Sequence, residues 1–122
     1  MASIRHPEPE TFLPLAPAKY YILVALADGD RHGYAILREV RDLSGGGVRV
    51  SASTLYSLLQ RLESDGLIRE ADERPDPALD DARRRYYRLT TLGREVAMAE
   101  SSRLETVLAT ARSRRLGRAP AK

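Results

Sequence analysis

With 122 residues, 43% of them hydrophobic and 30% charged, the chain has material for one folded domain with a modest core, and it is too apolar to be disordered throughout. It has no cysteine, which excludes disulfides, thiolate metal sites and cysteine nucleophiles; its longest apolar run, Tyr20 to Ala27, is too short to cross a bilayer; and residues 1–11 lack the apolar stretch of a secretion signal, so the cytoplasm is the expected compartment. The net charge of +3 is unevenly placed, because residues 82–122 hold eleven basic and three acidic residues while residues 71–81 hold five acids against Arg74. A basic last third points to a polyanionic partner such as nucleic acid.

Residues 1–17 contain Pro7, Pro9, Pro14 and Pro17, which remove backbone donors and favour an extended, flexible arm that folds over a neighbour. The run Ala18 to Ala27 is apolar nearly all round, the pattern of a buried first helix, and Asp28-Gly29-Asp30 ends it. From His32 to Ser44 the spacing of Ile36, Leu37, Val40 and Leu43 predicts a second helix with one inward face, stopped by Gly45-Gly46-Gly47. That triple glycine follows a helix and precedes no Gly-Lys-Ser/Thr, so it reads as a turn and not as a phosphate loop.

Val48-Arg49-Val50 predicts a short strand, and Ser51 is suited to cap a third helix running to about Asp65. Its inward stripe is Leu55, Leu58, Leu59 and Leu62, which leaves Ser53, Thr54, Tyr56, Ser57, Gln60 and Arg61 outward. Leu67 to Ala71 and Arg84 to Leu89 read as two strands joined by a charged, proline-containing loop, the outline of a wing. Thr90 or Thr91 can cap a fourth helix with Val96, Ala97, Leu104, Val107, Leu108 and Ala111 as its candidate buried face, interrupted by the polar stretch Glu100 to Arg103. A basic tail follows, expected to fray.

The fold class is therefore mainly α (α+β): a winged helix-turn-helix with a C-terminal dimerisation helix. The boundaries are an arm over 1–17, a winged-helix DNA-binding domain over 18–90, a dimerisation helix over 91–116 and a disordered basic tail over 117–122. Four blocks, at this spacing, closely resemble the PadR family of phenolic-acid-responsive repressors: His32-Gly33-Tyr34-Ala35-Ile36, Ser53 through Glu63, Gly66-Leu67-Ile68, and Arg85-Tyr86-Tyr87-Arg88-Leu89-Thr90. The resemblance covers about Ala18 to Ala111, and a single helix after the wing is like the short subtype. It implies a homodimer that binds double-stranded operator DNA and represses a nearby promoter, with a small aromatic effector as a further candidate partner that releases it. The chain has no tryptophan, a departure from the drug-binding branch of that family.

On this reading the third helix enters the major groove, where each base pair shows its own pattern of donors and acceptors. Ser53, Thr54, Tyr56, Ser57 and Arg61 are the candidate DNA-facing residues there, with Tyr56 also open to a packing role. Arg83, Arg84 and Arg85 are the candidates on the wing, at its base, because the acids Asp72, Glu73, Asp76, Asp80 and Asp81 would repel phosphates from its tip. A solvated loop of local ion pairs is the plainer alternative there. Leu104, Val107 and Leu108, with Tyr20 and Tyr21 from the first helix, are the candidate dimer interface, although that helix could simply pack on its own domain.

No cofactor or metal is expected: the acidic cluster lacks a loop glycine and the spacing of a cation site. An enzyme is disfavoured, since His6 and His32 have no nucleophile or carboxylate arranged with them, and His32 at a helix start suits capping or packing. The stronger alternative is a winged-helix module that binds a protein and not DNA. It would show an apolar outer face on the third helix, where this chain has hydroxyls, glutamine and arginine.

Overall fold

The computed structural model describes residues 7–71 and 85–118. Helices α1 (Pro17–Ala25), α2 (Gly33–Leu43), α3 (Ala52–Ser64) and α4 (Thr91–Ser113) accompany a small antiparallel sheet of β1 (Arg31–His32), β2 (Ile68–Glu70) and β3 (Tyr86–Leu89). The sheet order is β1-β3-β2, so the last strand in the chain is the central one. Helix α1 packs on α2 and α4, and α2 packs on α3. This is the winged helix-turn-helix arrangement that the order of elements implies.

Each helix starts and stops for a local reason. His32, Ser51 and Thr90 stand before α2, α3 and α4, and each side chain accepts a backbone N–H three residues on, from Ala35, Thr54 and Gly93. Such caps satisfy amides that the first turn cannot pair internally. Helix α3 ends with Gly66 in the left-handed region, its N–H donating to the Glu63 carbonyl and the Leu67 N–H reaching back to Leu62. Only glycine adopts that conformation without penalty, which is why the helix stops there. The end of α1 is closed by arginines from elsewhere: Arg31 Nε donates to the Ala25 carbonyl at 2.7 Å and Arg94 Nη2 to the Ala27 carbonyl at 2.9 Å.

The core is aliphatic. Ile22, Leu23 and Leu26 from α1, Ile36 and Val40 from α2, Leu55, Leu59 and Leu62 from α3, and Leu67, Ile68, Tyr87 and Val96 from the sheet and α4 are buried together. The leucine stripe predicted for α3 thus faces inward, with Leu58 half-buried at its edge. Leu43 departs from its predicted inward position and is exposed as the last residue of α2, one turn short of which Val40 is the final side chain that reaches the core.

The strand predicted over Val48-Arg49-Val50 does not form. The hydroxyl of Ser44 accepts the Val48 N–H at 2.9 Å and also lies within hydrogen-bonding reach of the Val48 carbonyl, so the backbone groups a ladder would need are engaged locally. The third strand comes instead from Arg31–His32, which pairs with Tyr86 and Tyr87 of β3. Arg69 and Arg88 face each other across the β2–β3 ladder, an unfavourable pairing of like charges. Asp30 relieves it by accepting two hydrogen bonds from Arg88, at 3.0 and 2.8 Å. Those bonds hold the Asp30 carboxyl below its ordinary value, with a smaller contribution from Arg69.

Residues 9–15, expected to form part of an extended arm, make one 3-10 turn (Pro9–Phe12) and then seat Leu15 in the core. Prolines forbid a long helix here, but the spacing of Phe12, Leu13 and Leu15 lets three apolar side chains pack inward. The segment lies against α4, where the Leu15 N–H donates to the Glu100 carboxylate at 3.1 Å. Glu100 is only 2% exposed and also accepts two hydrogen bonds from Arg103, at 2.6 and 3.0 Å. The polar stretch in the middle of α4 is therefore one of the points where the helix grips the rest of the domain. Just before it, Gly93 lies so close to the backbone of Leu67 that a methyl group would overlap the Leu67 carbonyl oxygen.

Candidate nucleic-acid interface

Burial of Leu55, Leu59 and Leu62 fixes the rotation of α3 and so decides what its other side presents. Ser53, Thr54, Tyr56, Ser57, Gln60 and Arg61 are all exposed along that side. At its amino end Ser51 Oγ accepts the Thr54 N–H at 3.1 Å, which leaves a short, hydroxyl-rich ridge. Tyr56 does two things at once: its phenol lies over the Gly33 backbone at the start of α2, while the residue as a whole remains 51% exposed. A side chain braced in this way loses little conformational freedom when it meets a partner.

The base of the wing joins this ridge. Arg85, Tyr56, Gln60, Glu63 and Tyr87 line one cleft of about 250 Å³ between α3 and β3. Burial, with the Glu63 charge adding to it, pushes the Tyr87 hydroxyl above its ordinary value. Arg83, Arg84 and the acids Asp72, Glu73, Asp76, Asp80 and Asp81 lie outside the described residues. Among the described residues no group of histidine and carboxylate side chains is placed to hold a metal ion, and no helix is long and apolar enough to cross a membrane.

The candidate dimer residues fall into two places. Tyr20, Tyr21 and Leu104 line a cleft with Leu15, Glu100 and Arg103, and the Tyr20 hydroxyl lies 2.7 Å from that of Ser101. Val107 and Leu108 lie further along α4 and are exposed, Val107 at 58%; the chain's own domain does not cover that part of the stripe. His32, besides capping α2 through Nδ1, meets Tyr86 edge to face at 5.4 Å.

One basic feature was not singled out in the sequence. Tyr34, Arg38, Arg41 and Arg49, with Leu37 and Val50, line a cleft of about 200 Å³ on the flank of α2. The signal was available as the four- and three-residue spacing of Tyr34, Arg38 and Arg41, which puts all three on one helix face.

Comparison with known proteins places this arrangement. Residues 22–99 match the model of the transcriptional regulator PadR-like family. The chain is 39% identical over 90 residues to the transcriptional regulator Rv3488 of Mycobacterium tuberculosis, covering 74% of this chain and 78% of that protein. It is 38% identical over 84 residues to a 37.1 kDa protein in transposon TN4556 of Streptomyces fradiae, covering 69% of this chain but only 22% of that longer protein. Among solved structures, a PadR family transcription regulator of Clostridium difficile superposes with a TM-score of 0.69 at 24% identity, covering 84% of this chain and 100% of that one. Bacillus subtilis PadR in complex with operator DNA superposes with a TM-score of 0.54 at 26% identity, covering 66% of this chain and 45% of that one. The chain belongs to the PadR-like family of transcriptional regulators, a family of regulators and not of enzymes.

Proposed function

We propose that this chain is a homodimeric transcriptional repressor that binds operator DNA with α3 and the base of its wing, and that a small aromatic molecule releases it. The observation that carries the DNA reading is the inward leucine stripe of α3, which turns Ser53, Thr54, Tyr56, Ser57 and Arg61 to solvent on one side, with Arg85 at its edge. A protein-binding module would show an apolar patch on this face, and the face is polar. The operator complex of the Bacillus subtilis relative supports the same reading. Hydroxyls serve chiefly phosphates, whereas Arg61 and Tyr56 have the reach for base edges.

A gel shift with the DNA immediately upstream of the coding region tests this. Tyr56→Ala should weaken the specific site by roughly 10-fold or more while changing nonspecific binding little, as expected for a contact worth about 1–3 kcal/mol at a base edge. Arg85→Ala should weaken both kinds of DNA and lower the salt slope by about 1. Retention of wild-type affinity in both variants would remove these residues from the interface.

The exposed stripe Leu104, Val107 and Leu108 supports the homodimer, in which two α3 helices would lie about 34 Å apart, one turn of duplex. Leu108→Glu should convert the dimer to a monomer in size-exclusion chromatography with light scattering. An unchanged dimer mass would move the interface elsewhere. The effector reading is supported by an apolar groove of about 370 Å³ between α1 and α4, whose lining includes Val24, Ala27, Leu89 and Met98. Its occupant would act on the helix that carries the dimer stripe. A panel of aromatic compounds that leaves the gel shift intact would exclude release by that class.

A further inference from the structure

We propose that the cleft of Tyr34, Arg38, Arg41 and Arg49 is a phosphate clamp: it holds the DNA backbone beside the groove that α3 enters, independently of base sequence. The inference rests on the DNA-binding reading and assigns it a second contact surface, distinct from α3 and the wing.

The first observation is electrostatic. Among the described residues Arg31, Arg88 and Arg103 are each paired with a carboxylate. Among the described residues Arg38, Arg41 and Arg49 make no such pair, although two acids share the helix of the first two: Glu39 lies 4.0 Å from Arg31, and Asp42 is in no ion pair with any of them. Three uncompensated guanidinium groups around one cleft repel one another, and an anion with several oxygens relieves that repulsion while accepting planar, paired hydrogen bonds.

The second observation is position. Arg38 and Arg41 follow Tyr34 at one and two turns along α2, and Arg49 is returned to them by the turn after α2, whose Gly46 N–H donates to the Arg41 carbonyl at 2.8 Å. Tyr34 is 62% exposed, an aromatic donor standing in solvent. Val50, on the cleft wall, leads directly into Ser51, the cap of α3. The cleft therefore adjoins the amino end of α3, whose partial positive charge adds to that of the arginines. In a helix-turn-helix the first helix crosses the backbone while the second enters the groove, which gives the clamp a continuous strand of phosphates as its occupant.

The experiment is fluorescence anisotropy over a range of potassium chloride concentrations, with one labelled duplex of the upstream sequence and one scrambled duplex of the same length. Wild type, the triple variant Arg38→Gln/Arg41→Gln/Arg49→Gln, the corresponding triple lysine variant and Tyr56→Ala are compared, with circular dichroism confirming equal helix content. The glutamine variant should lose on the order of 100-fold affinity at about 0.1 M salt for both duplexes, and its slope of log affinity against log salt should flatten by about 2.7 for each protomer engaged. The lysine variant should keep the slope. Tyr56→Ala should lose affinity for the upstream duplex alone. If wild type binds and the glutamine variant keeps its slope, the clamp is refuted while the DNA reading stands. If wild type binds neither duplex, both fall. Inorganic triphosphate is the remaining arm: saturable binding that the glutamine variant loses, with its DNA slope unchanged, would reassign the cleft to a free phosphate ligand and overturn the proposal.

Discussion

Replacing Gly93 with alanine should destabilise the protein by about 3 kcal/mol or more, and lower its midpoint of thermal unfolding by roughly 10–20 °C. Helix propensity alone predicts the opposite sign, since alanine is better than glycine inside a helix by about 1 kcal/mol. The contact decides the matter. A methyl group at Gly93 would overlap the Leu67 carbonyl oxygen and approach Cδ1 of Leu89 at 2.9 Å. That carbonyl is fixed, because it accepts the Thr90 N–H at 3.1 Å and belongs to a residue buried in the core. The only relief is for α4 to withdraw from the sheet, which uncovers Val96 and Leu67. Thermal unfolding followed by circular dichroism reads the result, and a midpoint at or above that of wild type would show that the helix shifts without loss.

Glu100→Ala should cost about 3 kcal/mol, divided between the Leu15 N–H left without an acceptor and the space left by the side chain. The lost pairing with Arg103 adds little, because the arginine side chain is 41% exposed and can rehydrate. Glu100→Gln keeps an oxygen for Leu15 and should lose less than half as much. The two variants also separate by pH. Hydrogen bonding from Arg103 holds the Glu100 carboxyl below its ordinary value of 4.5; the Leu15 N–H acts in the same direction and burial opposes both. A carboxyl whose folded value lies below its unfolded one stabilises fully above the unfolded value and loses that contribution as the pH falls through the folded one. The gap in stability between wild type and Glu100→Gln should therefore be constant near neutrality and shrink as the pH drops below about 4.5, measured by denaturant unfolding across that range. A gap that persists into strong acid would mean that the charge is not what holds the contact.

These two residues also show what the amino-acid pattern revealed and what it hid. The rotation of α3 was legible because leucines recur at three and four residues and a capping serine stands before them, both of which are local signals. The starts of α2, α3 and α4 were legible for the same reason. Glu100 looked like a break in an apolar stripe because its partner backbone lies 85 residues away, and no spacing rule reports a contact of that kind. The third strand was misplaced at Val48-Arg49-Val50 because two β-branched residues outweighed the local hydroxyl of Ser44, while Arg31 and His32 carry no strand signal and pair only because β3 is there to receive them. The arginine cleft went unnoticed because Arg49 joins Arg38 and Arg41 only after the chain has turned.

The bond from Leu15 to Glu100 fastens α4 to the body at mid-length, while the apolar stripe from Leu104 to Leu108 lies beyond that fastening. The outer half of the helix thus projects from the body as a continuation of one unbroken rod. In a pair of chains joined along that stripe, a small tilt of the rod would be magnified at the far end into a change in the gap between the two reading heads.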